Sequence, residues 1–175
     1  FFNMLATAYI RRDLSECNLA TPLFEQVLDA TPNELIVGQA NEGLLDLESR
    51  EGKAPGGYCT SFEFTERPFI FMNASKTQDD VETLLHEGGH AIHAFEALKH
   101  VPVSFARHPG EEMSEVASMA MELLAAPYLE ASKGGFYSEA DAKRARREHL
   151  EGILFFFTWC ATVDAFQHWL YTSVK

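Results

Sequence analysis

Two histidines flank a glutamate in the run His86-Glu87-Gly88-Gly89-His90. On an α-helix, residues four apart share a face and lie about 6 Å apart along the axis, so two imidazoles at this spacing can hold one metal ion. Glu87 is rotated by about 100° from His86, which places it within reach of a water on that metal. This arrangement predicts one Zn²⁺ per chain, with Glu87 as the general base that takes the proton of the attacking water.

Two features favour a functional site over a pair of surface histidines. Two glycines inside a helix cost roughly 0.5–1 kcal/mol each relative to alanine, and such a local cost is typical beside a functional site. The residues around the motif are apolar and predict a buried helix, where histidines need partners such as a metal. These apolar residues are Val81, Leu84, Leu85, Ala91, Ile92 and Phe95.

A catalytic zinc usually has three protein ligands, so a third one is needed. His93 lies on nearly the same helix face as His86, but about 10.5 Å along the axis, which is too far for one ion. Position 96, where the metzincin pattern requires histidine, holds Glu96. A glutamate from a second helix is the alternative, and the candidates are Glu111, Glu112, Glu115 and Glu122.

The simplest assignment makes Glu115 the third ligand. Glu115, Ser118, Met119 and Glu122 share one helix face. We expect Glu122 to lie behind the ligands and orient a zinc-bound imidazole. Acids in the first turn, Glu111 and Glu112, are explained as well by the helix dipole. His93 is then predicted to be a core residue, a residue behind the ligands, or one that touches substrate.

The surrounding pattern predicts a mostly α-helical chain with a small β element. A helix is expected from the cap at Thr31 and Pro32 to about Glu48. Aromatic and β-branched residues predict two strands, 58–64 and 68–72, which are expected to pair in a hairpin around a turn at 65–67. Thr77 is expected to cap a helix that runs to about Leu98.

Two more helices are predicted towards the end of the chain. One is expected over 111–131, kinked or ended early by Pro127, after a loop at 102–110. Another is expected to begin at a cap on Ser138 and to continue to the end, with a break near Gly152. Its apolar part, 153–166, is too short for a membrane span and is expected to be buried.

Composition narrows the class of partner. The formal charge of −12 argues against nucleic acid and against anionic membranes, because phosphate binding depends on clustered Lys and Arg. The three cysteines, Cys17, Cys59 and Cys160, are scattered and odd in number, which argues against a disulfide framework. A reducing, cytoplasmic location is therefore expected.

The motif and its surroundings resemble the thimet oligopeptidase family of zinc peptidases, which includes oligoendopeptidase F. This resemblance is carried by residues 79–91, DDVETLLHEGGHA, with EVAS at 115–118 and then Glu122. Further segments resemble the oligoendopeptidase F branch: GKAPGGYC at 52–59, PFIFMN at 68–73 and DAFQHWLY at 164–171. Together the matches span most of the chain.

The resemblance implies His86, His90 and Glu115 as zinc ligands and Glu87 as general base. It also implies a mainly α-helical, zincin-type catalytic domain with a small β-hairpin and a deep channel for short peptides. Substrate would lie along an edge strand at 68–73 through main-chain hydrogen bonds. The residues expected to bind substrate are Gly57, Tyr58, Pro68, Phe69, Ile70 and Phe71.

Family members are considerably longer chains, and a substrate-binding segment with Tyr and His lies beyond the equivalent of Lys175. Residues 1–175 are therefore expected to form one catalytic-domain core, truncated at both ends. Gly88 stands where the family more often has a larger apolar residue. The function expected is a zinc endopeptidase for short peptides. The alternatives are a zinc-binding core without turnover and a non-enzymatic helical domain.

Overall fold

The computed structural model describes residues 42–173. The chain divides into two compact units, Phe1–Phe136 and Tyr137–Lys175, and each is described by itself. The single-domain organisation expected for 1–175 stays a prediction. The cap expected at Thr31 and Pro32 lies outside the described residues.

The first unit contains a three-stranded sheet. Its strands are β1 (Leu45–Glu48), β2 (Gly57–Phe62) and β3 (Arg67–Ala74), in the spatial order β1-β3-β2. β3 is the middle strand and pairs with β1 in parallel and with β2 antiparallel. The predicted hairpin is confirmed as β2 and β3.

The prediction that the preceding helix reaches Glu48 is wrong, because residues 45–48 form β1. Gly43 just before this strand has φ 72°, a left-handed conformation that ends helical geometry and favours glycine. Leu45 and Leu47 fit the two-residue repeat of a strand as well as a helix face, and a short apolar run does not separate the two.

The additional strand also overturns the edge-strand prediction for residues 68–73. With β1 on one side and β2 on the other, the β3 backbone is flanked on both sides. Pro68 is tolerated in this middle strand because β1 pairs with β3 only from Ile70 onwards, so the missing N–H of Pro68 falls beyond β1. Among the described residues β1 and β2 are therefore the outer strands, and the outer edge of β2 faces away from β3.

Two helices follow the sheet, α1 (Gln78–His100) and α2 (Glu111–Ala125), separated by a short 3₁₀ turn at Ser104–Arg107. The expected cap at Thr77 is confirmed: the Asp80 carboxylate accepts the Thr77 backbone N–H at 2.6 Å. α2 ends before Pro127 and passes into 3₁₀ turns at Ala126–Tyr128 and Ala131–Lys133. Proline lacks the N–H that would continue the helix.

α1 packs against one face of the sheet. Along β3 alternate side chains are buried from Pro68 to Ala74, and Ile70 among them has no exposed surface. A methyl group on Gly57 in β2 would lie 2.7 Å from Thr83 Cγ2 of α1, so this strand and helix are in close contact. The apolar residues of α1 that were expected to be buried are buried, except Phe95, which is half-buried.

α1 and α2 cross at Gly89, where the two backbones nearly touch. A methyl group on Gly89 would lie 2.6 Å from the Cα of Ser118 and 2.8 Å from the carbonyl oxygen of Ala117. Both are backbone atoms, which cannot move aside as a flexible side chain could. Gly89 is therefore required by the helix crossing, and its cost to the helix has a packing reason.

The second unit contains α3 (Glu139–Ser173), capped by Ser138, whose Oγ accepts the Asp141 N–H at 3.1 Å. The break expected near Gly152 is wrong, since the helix is continuous and tolerates an isolated glycine. The burial expected for 153–166 is also wrong, because Phe155 is 77% exposed and Phe157 65%. In the described part of this unit, α3 has no second helix or strand to cover it.

Every helix within residues 42–173 is too short or too polar to cross a lipid bilayer.

We expect Gly89→Ala to destabilise the first unit by about 1–3 kcal/mol, the usual cost of overpacking, because the added methyl must push the two helices apart. The measurement is the free energy of unfolding in urea. Gly152→Ala is the matched control: a methyl there meets nothing within 4 Å, so it should stabilise α3 by roughly 0.5–1 kcal/mol. A Gly89→Ala variant as stable as the wild type would contradict the close crossing.

Candidate metal centre

The structure brings the two histidines of the motif together with one glutamate of α2. The His86 and His90 rings have centroids 4.9 Å apart and planes at 83°. Glu115 reaches both: its Oε2 lies 3.0 Å from His86 Nε2, and its Oε1 lies 3.6 Å from His90 Nε2. One ligand atom from each of the three residues lies within 4.8 Å of the other two.

This group fits a metal ion. Nitrogen and oxygen ligands bound about 2.1 Å from one zinc lie at most about 4 Å apart. The contacts of the Glu115 carboxylate with His86 at 3.0 Å and with His90 at 3.6 Å fall within this limit, and one ligand atom from each residue spans 4.8 Å, slightly above it. Two imidazoles and a carboxylate also form a donor set that transition metals prefer.

Glu122 lies behind His86, on the side away from Glu115. Its Oε1 is 2.6 Å from His86 Nδ1, and its side chain is only 13% exposed. An imidazole that donates its Nδ1 proton to this carboxylate keeps the Nε2 lone pair free on the other side. The hydrogen bond to Glu122 is also the main reason why the pKa of His86 is raised.

Glu87 lies between the two histidines in sequence and is buried, with 6% of its surface exposed. Burial is the main cause that raises the pKa of its carboxyl group, and the charge of His86 opposes it. The carboxylate accepts a hydrogen bond from the backbone N–H of Cys59 in β2. A carboxylate with a raised pKa is a stronger base than an ordinary glutamate.

His90 and His93 differ in their surroundings. Burial lowers the pKa of His90, which favours the neutral imidazole that a metal needs. His93 is half-buried and lines the cleft beside His90, outside the group of three ligand atoms found among the described residues. The roles predicted for His93, behind the ligands or against substrate, stay predictions. The side chains of Glu111 and Glu112 lie outside the described residues.

A cleft of about 240 Å³ adjoins this group on the His90 side. Its walls come from β2, from the second half of α1 and from the segment between α1 and α2. Representative lining residues are Cys59, Ser61, His93, Ala97, Arg107 and Pro109. The cleft therefore lies against the open edge of the sheet.

Hydrogen bonds connect the hairpin turn after β2 to the segment between α1 and α2. The Glu63 carboxylate, in the turn after β2, accepts a hydrogen bond from the Ser104 hydroxyl at 2.5 Å. Its other oxygen lies 2.8 Å from His108 Nε2. These two contacts are the main causes that lower the pKa of Glu63. Arg107 adds an ion pair of 3.4 Å with Glu66. The hairpin turn is thus held to the segment between α1 and α2.

Most residues expected to bind substrate lie elsewhere. Pro68 and Ile70 are buried in the core, facing α1. Strand alternation directs Tyr58, Phe69 and Phe71 to the opposite face of the sheet, where Tyr58 stacks on Phe71 with centroids 5.0 Å apart. The structure therefore does not bring these five to the histidines. Gly57 is half-buried at the start of β2, in close contact with α1.

Three contributors to the site were missed by reasoning from the sequence. The backbone of Cys59 reaches Glu87, Glu63 anchors the hairpin turn, and Ser118 contacts Glu115. No residue pattern marks the first two, because a backbone N–H and a long-range ion pair leave no local signal. Ser118 does have a signal, since it shares a helix face with Glu115 and Glu122.

The Cys59 thiol is expected to react slowly. Burial, with a smaller contribution from the Glu87 charge, raises its pKa to about 12. Only the thiolate is nucleophilic, so near pH 8 we expect iodoacetamide to label Cys59 at least about tenfold more slowly than Cys160, as measured by mass spectrometry. Equal labelling in concentrated guanidinium chloride is the control. Equal rates in the folded chain would contradict the burial of this thiol.

Comparisons with known proteins point to one peptidase family. The model of peptidase family M3 matches residues 24–175. An oligoendopeptidase F homolog of Mycoplasma genitalium is 36% identical over 89 residues, 50% of this chain and 14% of that protein. Oligopeptidase PepF of Bacillus subtilis is 33% identical over 85 residues, 49% of this chain and 12% of that protein.

Solved structures give the same result. Pz peptidase A with an inhibitor has a TM-score of 0.72 and 32% identity, and the match covers 86% of this chain and 26% of that one. A Bacillus anthracis structure named as an oligoendopeptidase F also has a TM-score of 0.72, with 30% identity, covering 88% of this chain and 27% of that one. This chain thus spans about a quarter of those structures, and over that length it belongs to peptidase family M3.

Proposed function

We propose that this chain carries the metal site of a zinc endopeptidase that cleaves short peptides, with His86, His90 and Glu115 as ligands. The observation that carries the proposal is the convergence of one ligand atom from each residue within 4.8 Å. Membership of family M3, and relatives named oligoendopeptidase F and oligopeptidase, support peptide hydrolysis.

Zinc is the metal that this donor set supports best for hydrolysis. Two histidines and one glutamate are a frequent ligand set of catalytic zinc and leave one position for water. Two-histidine, one-carboxylate sets also bind Fe(II), but a buried glutamate directly after the first histidine supports hydrolysis instead. A bound Zn²⁺ would lower the pKa of a water and polarise the peptide carbonyl.

Glu87 is the general base in this proposal. It takes the proton of the attacking water and passes it to the amine that leaves. Burial, which raises the pKa of Glu87, makes it a better proton acceptor at neutral pH, and the Cys59 N–H opposes this shift slightly. Glu122 acts through His86 by holding the ring and its Nδ1 proton.

The outer edge of β2 is the proposed place for the substrate backbone. Asn73 donates its N–H to the carbonyl of Gly56. In an antiparallel pair, hydrogen-bonded and non-hydrogen-bonded residue pairs alternate along the strands. Cys59, opposite Ile70, is in a non-hydrogen-bonded pair, so its backbone N–H and C=O point away from β3. The hydrogen bond from Cys59 N–H to Glu87 agrees with this direction. A peptide that adds as a strand beside β2 would therefore pass the candidate ligands.

A second candidate is a zinc-binding core without turnover. It is supported by the short length of the match, since this chain spans only 12–15% of the length of the curated relatives and about a quarter of the solved structures. Metal binding needs only α1 and α2, whereas turnover also needs whatever holds the peptide. The two candidates therefore agree on the metal and differ in peptide cleavage.

We expect about one zinc per chain by mass spectrometry of the metal, and its loss in His86→Ala and Glu115→Ala, because each removes a ligand. Glu87→Gln should keep zinc but lower cleavage of a quenched fluorescent peptide by about 10²–10⁴-fold, the usual contribution of a general base.

Two variants on α1 serve as controls. His100→Ala removes an exposed histidine paired with Glu96, and Glu82→Gln removes a carboxylate paired with Gln78. Both should keep zinc and any activity. Zinc far below one per chain in the wild type, or iron in its place, would refute the zinc site. Zinc without cleavage would favour the second candidate.

Strand addition beside β2 predicts sensitivity to single backbone N–H groups of the peptide. N-methylation at the amides that pair with β2 should raise KM about 5–10-fold each, about 1 kcal/mol per hydrogen bond, while alternate amides tolerate the methyl group. KM is measured for a series of peptides methylated at one position at a time. A series without this alternation would exclude pairing with β2.

A further inference from the structure

A buried hydroxyl contacts the candidate glutamate ligand. Ser118, in the middle of α2, has no exposed surface. Its Oγ lies 2.9 Å from Oε2 of Glu115 and 3.0 Å from the Glu115 carbonyl oxygen. A serine inside a helix commonly bonds back to a carbonyl of the preceding turn, so the contact with the carboxylate is the feature that needs a reason.

Packing alone accounts for the size of this residue but not for its hydroxyl. Ser118 lies against Gly89, where the backbones of α1 and α2 nearly touch, so only a small residue fits. Alanine would fit equally well, is a better helix former and would bury no polar atom. The hydroxyl is therefore better explained by what it contacts.

The Glu115 side chain needs such a contact. It is 49% exposed, and an exposed glutamate samples several rotamers unless something holds it. The Ser118 hydroxyl is fixed between two helices, and its one proton is shared between the Glu115 carbonyl oxygen and the carboxylate oxygen Oε2. That same carboxylate then lies 3.0 Å from His86 Nε2 and 3.6 Å from His90 Nε2.

We infer that Ser118 is a positioning residue, whose hydroxyl holds the Glu115 carboxylate towards the two histidines so that the three form one metal site. This inference rests on the proposed metal function. It gives α2 a double role, because Glu122 holds His86 from behind while Ser118 holds Glu115. Two of the three ligands are then oriented before the metal arrives.

The test is Ser118→Ala in the same chain, with Zn²⁺ affinity measured by competition with a chromophoric chelator. Loss of a residue that orients a ligand typically weakens metal binding 10–100-fold, and we expect a loss in this range. The absorption spectrum of the Co²⁺-loaded chain should also change, because a freed carboxylate alters the ligand geometry. The metal-free variant should melt at the wild-type temperature or above.

Ser114→Ala removes a hydroxyl from α2 one turn earlier and should leave zinc affinity unchanged. Ser118→Gly also removes the hydroxyl without crowding, and should weaken zinc binding to a similar extent. Zinc bound by Ser118→Ala as tightly as by the wild type would overturn this inference and leave the metal site standing. So would a metal-free variant that melts much lower, since Ser118 would then serve packing. A wild-type chain that binds no Zn²⁺ would overturn both proposals.

Discussion

At the crossing of α1 and α2, the Gly89 backbone lies so close to Ser118 that an added methyl group would be 2.6 Å from its Cα. The candidate site depends on this contact, because the two histidines and Glu87 lie on α1, whereas Glu115 and Glu122 lie on α2. A wider crossing would draw Glu115 away from both imidazoles and Glu122 away from His86 Nδ1. Glycine lowers the helix propensity of α1, but it allows the two helices to approach closely enough for their side chains to share a metal.

The charges around this crossing are arranged so that neighbouring groups have different pKa shifts. Glu122 raises the pKa of His86, while burial lowers that of His90 and raises that of Glu87. Opposite environments for adjacent groups are typical of sites where one group binds and another transfers a proton. Glu87 is also the most buried of the acids discussed at the crossing, which suits a base more than a solvated surface residue.

Site residues could be predicted from the sequence where they lie on one helix at a regular spacing. His86 and His90 are one helical turn apart, and Glu115 and Glu122 are two turns apart, so helix geometry made these four candidates. The family resemblance then favoured Glu115 as the third ligand. The crossing itself could not be derived in this way, because it needs two helices at once. Gly89 was singled out as costly, but only the structure shows that it faces Ser118.

The sheet was predicted less well, for a related reason. Leu45 and Leu47 fit a helix face and a strand equally, and assigning them to a helix removed β1 from the sheet. The edge strand at 68–73 was expected from the family resemblance alone, and the two predicted strands left open which neighbours β3 has. β1 supplies the second neighbour of β3, so the proposed place for the peptide moves from β3 to the outer edge of β2.

X-ray absorption at the zinc edge tests the central claim most directly, because it reports the atoms bound to the metal in the loaded chain. A site built by the α1–α2 crossing predicts nitrogen and oxygen neighbours at about 2.0–2.1 Å, with the outer-atom signal of two imidazoles. The Glu115→Ala variant should lose one light neighbour from this set or fail to hold zinc. Sulfur at about 2.3 Å, from a cysteine such as Cys59, or a spectrum without imidazole would contradict the claim.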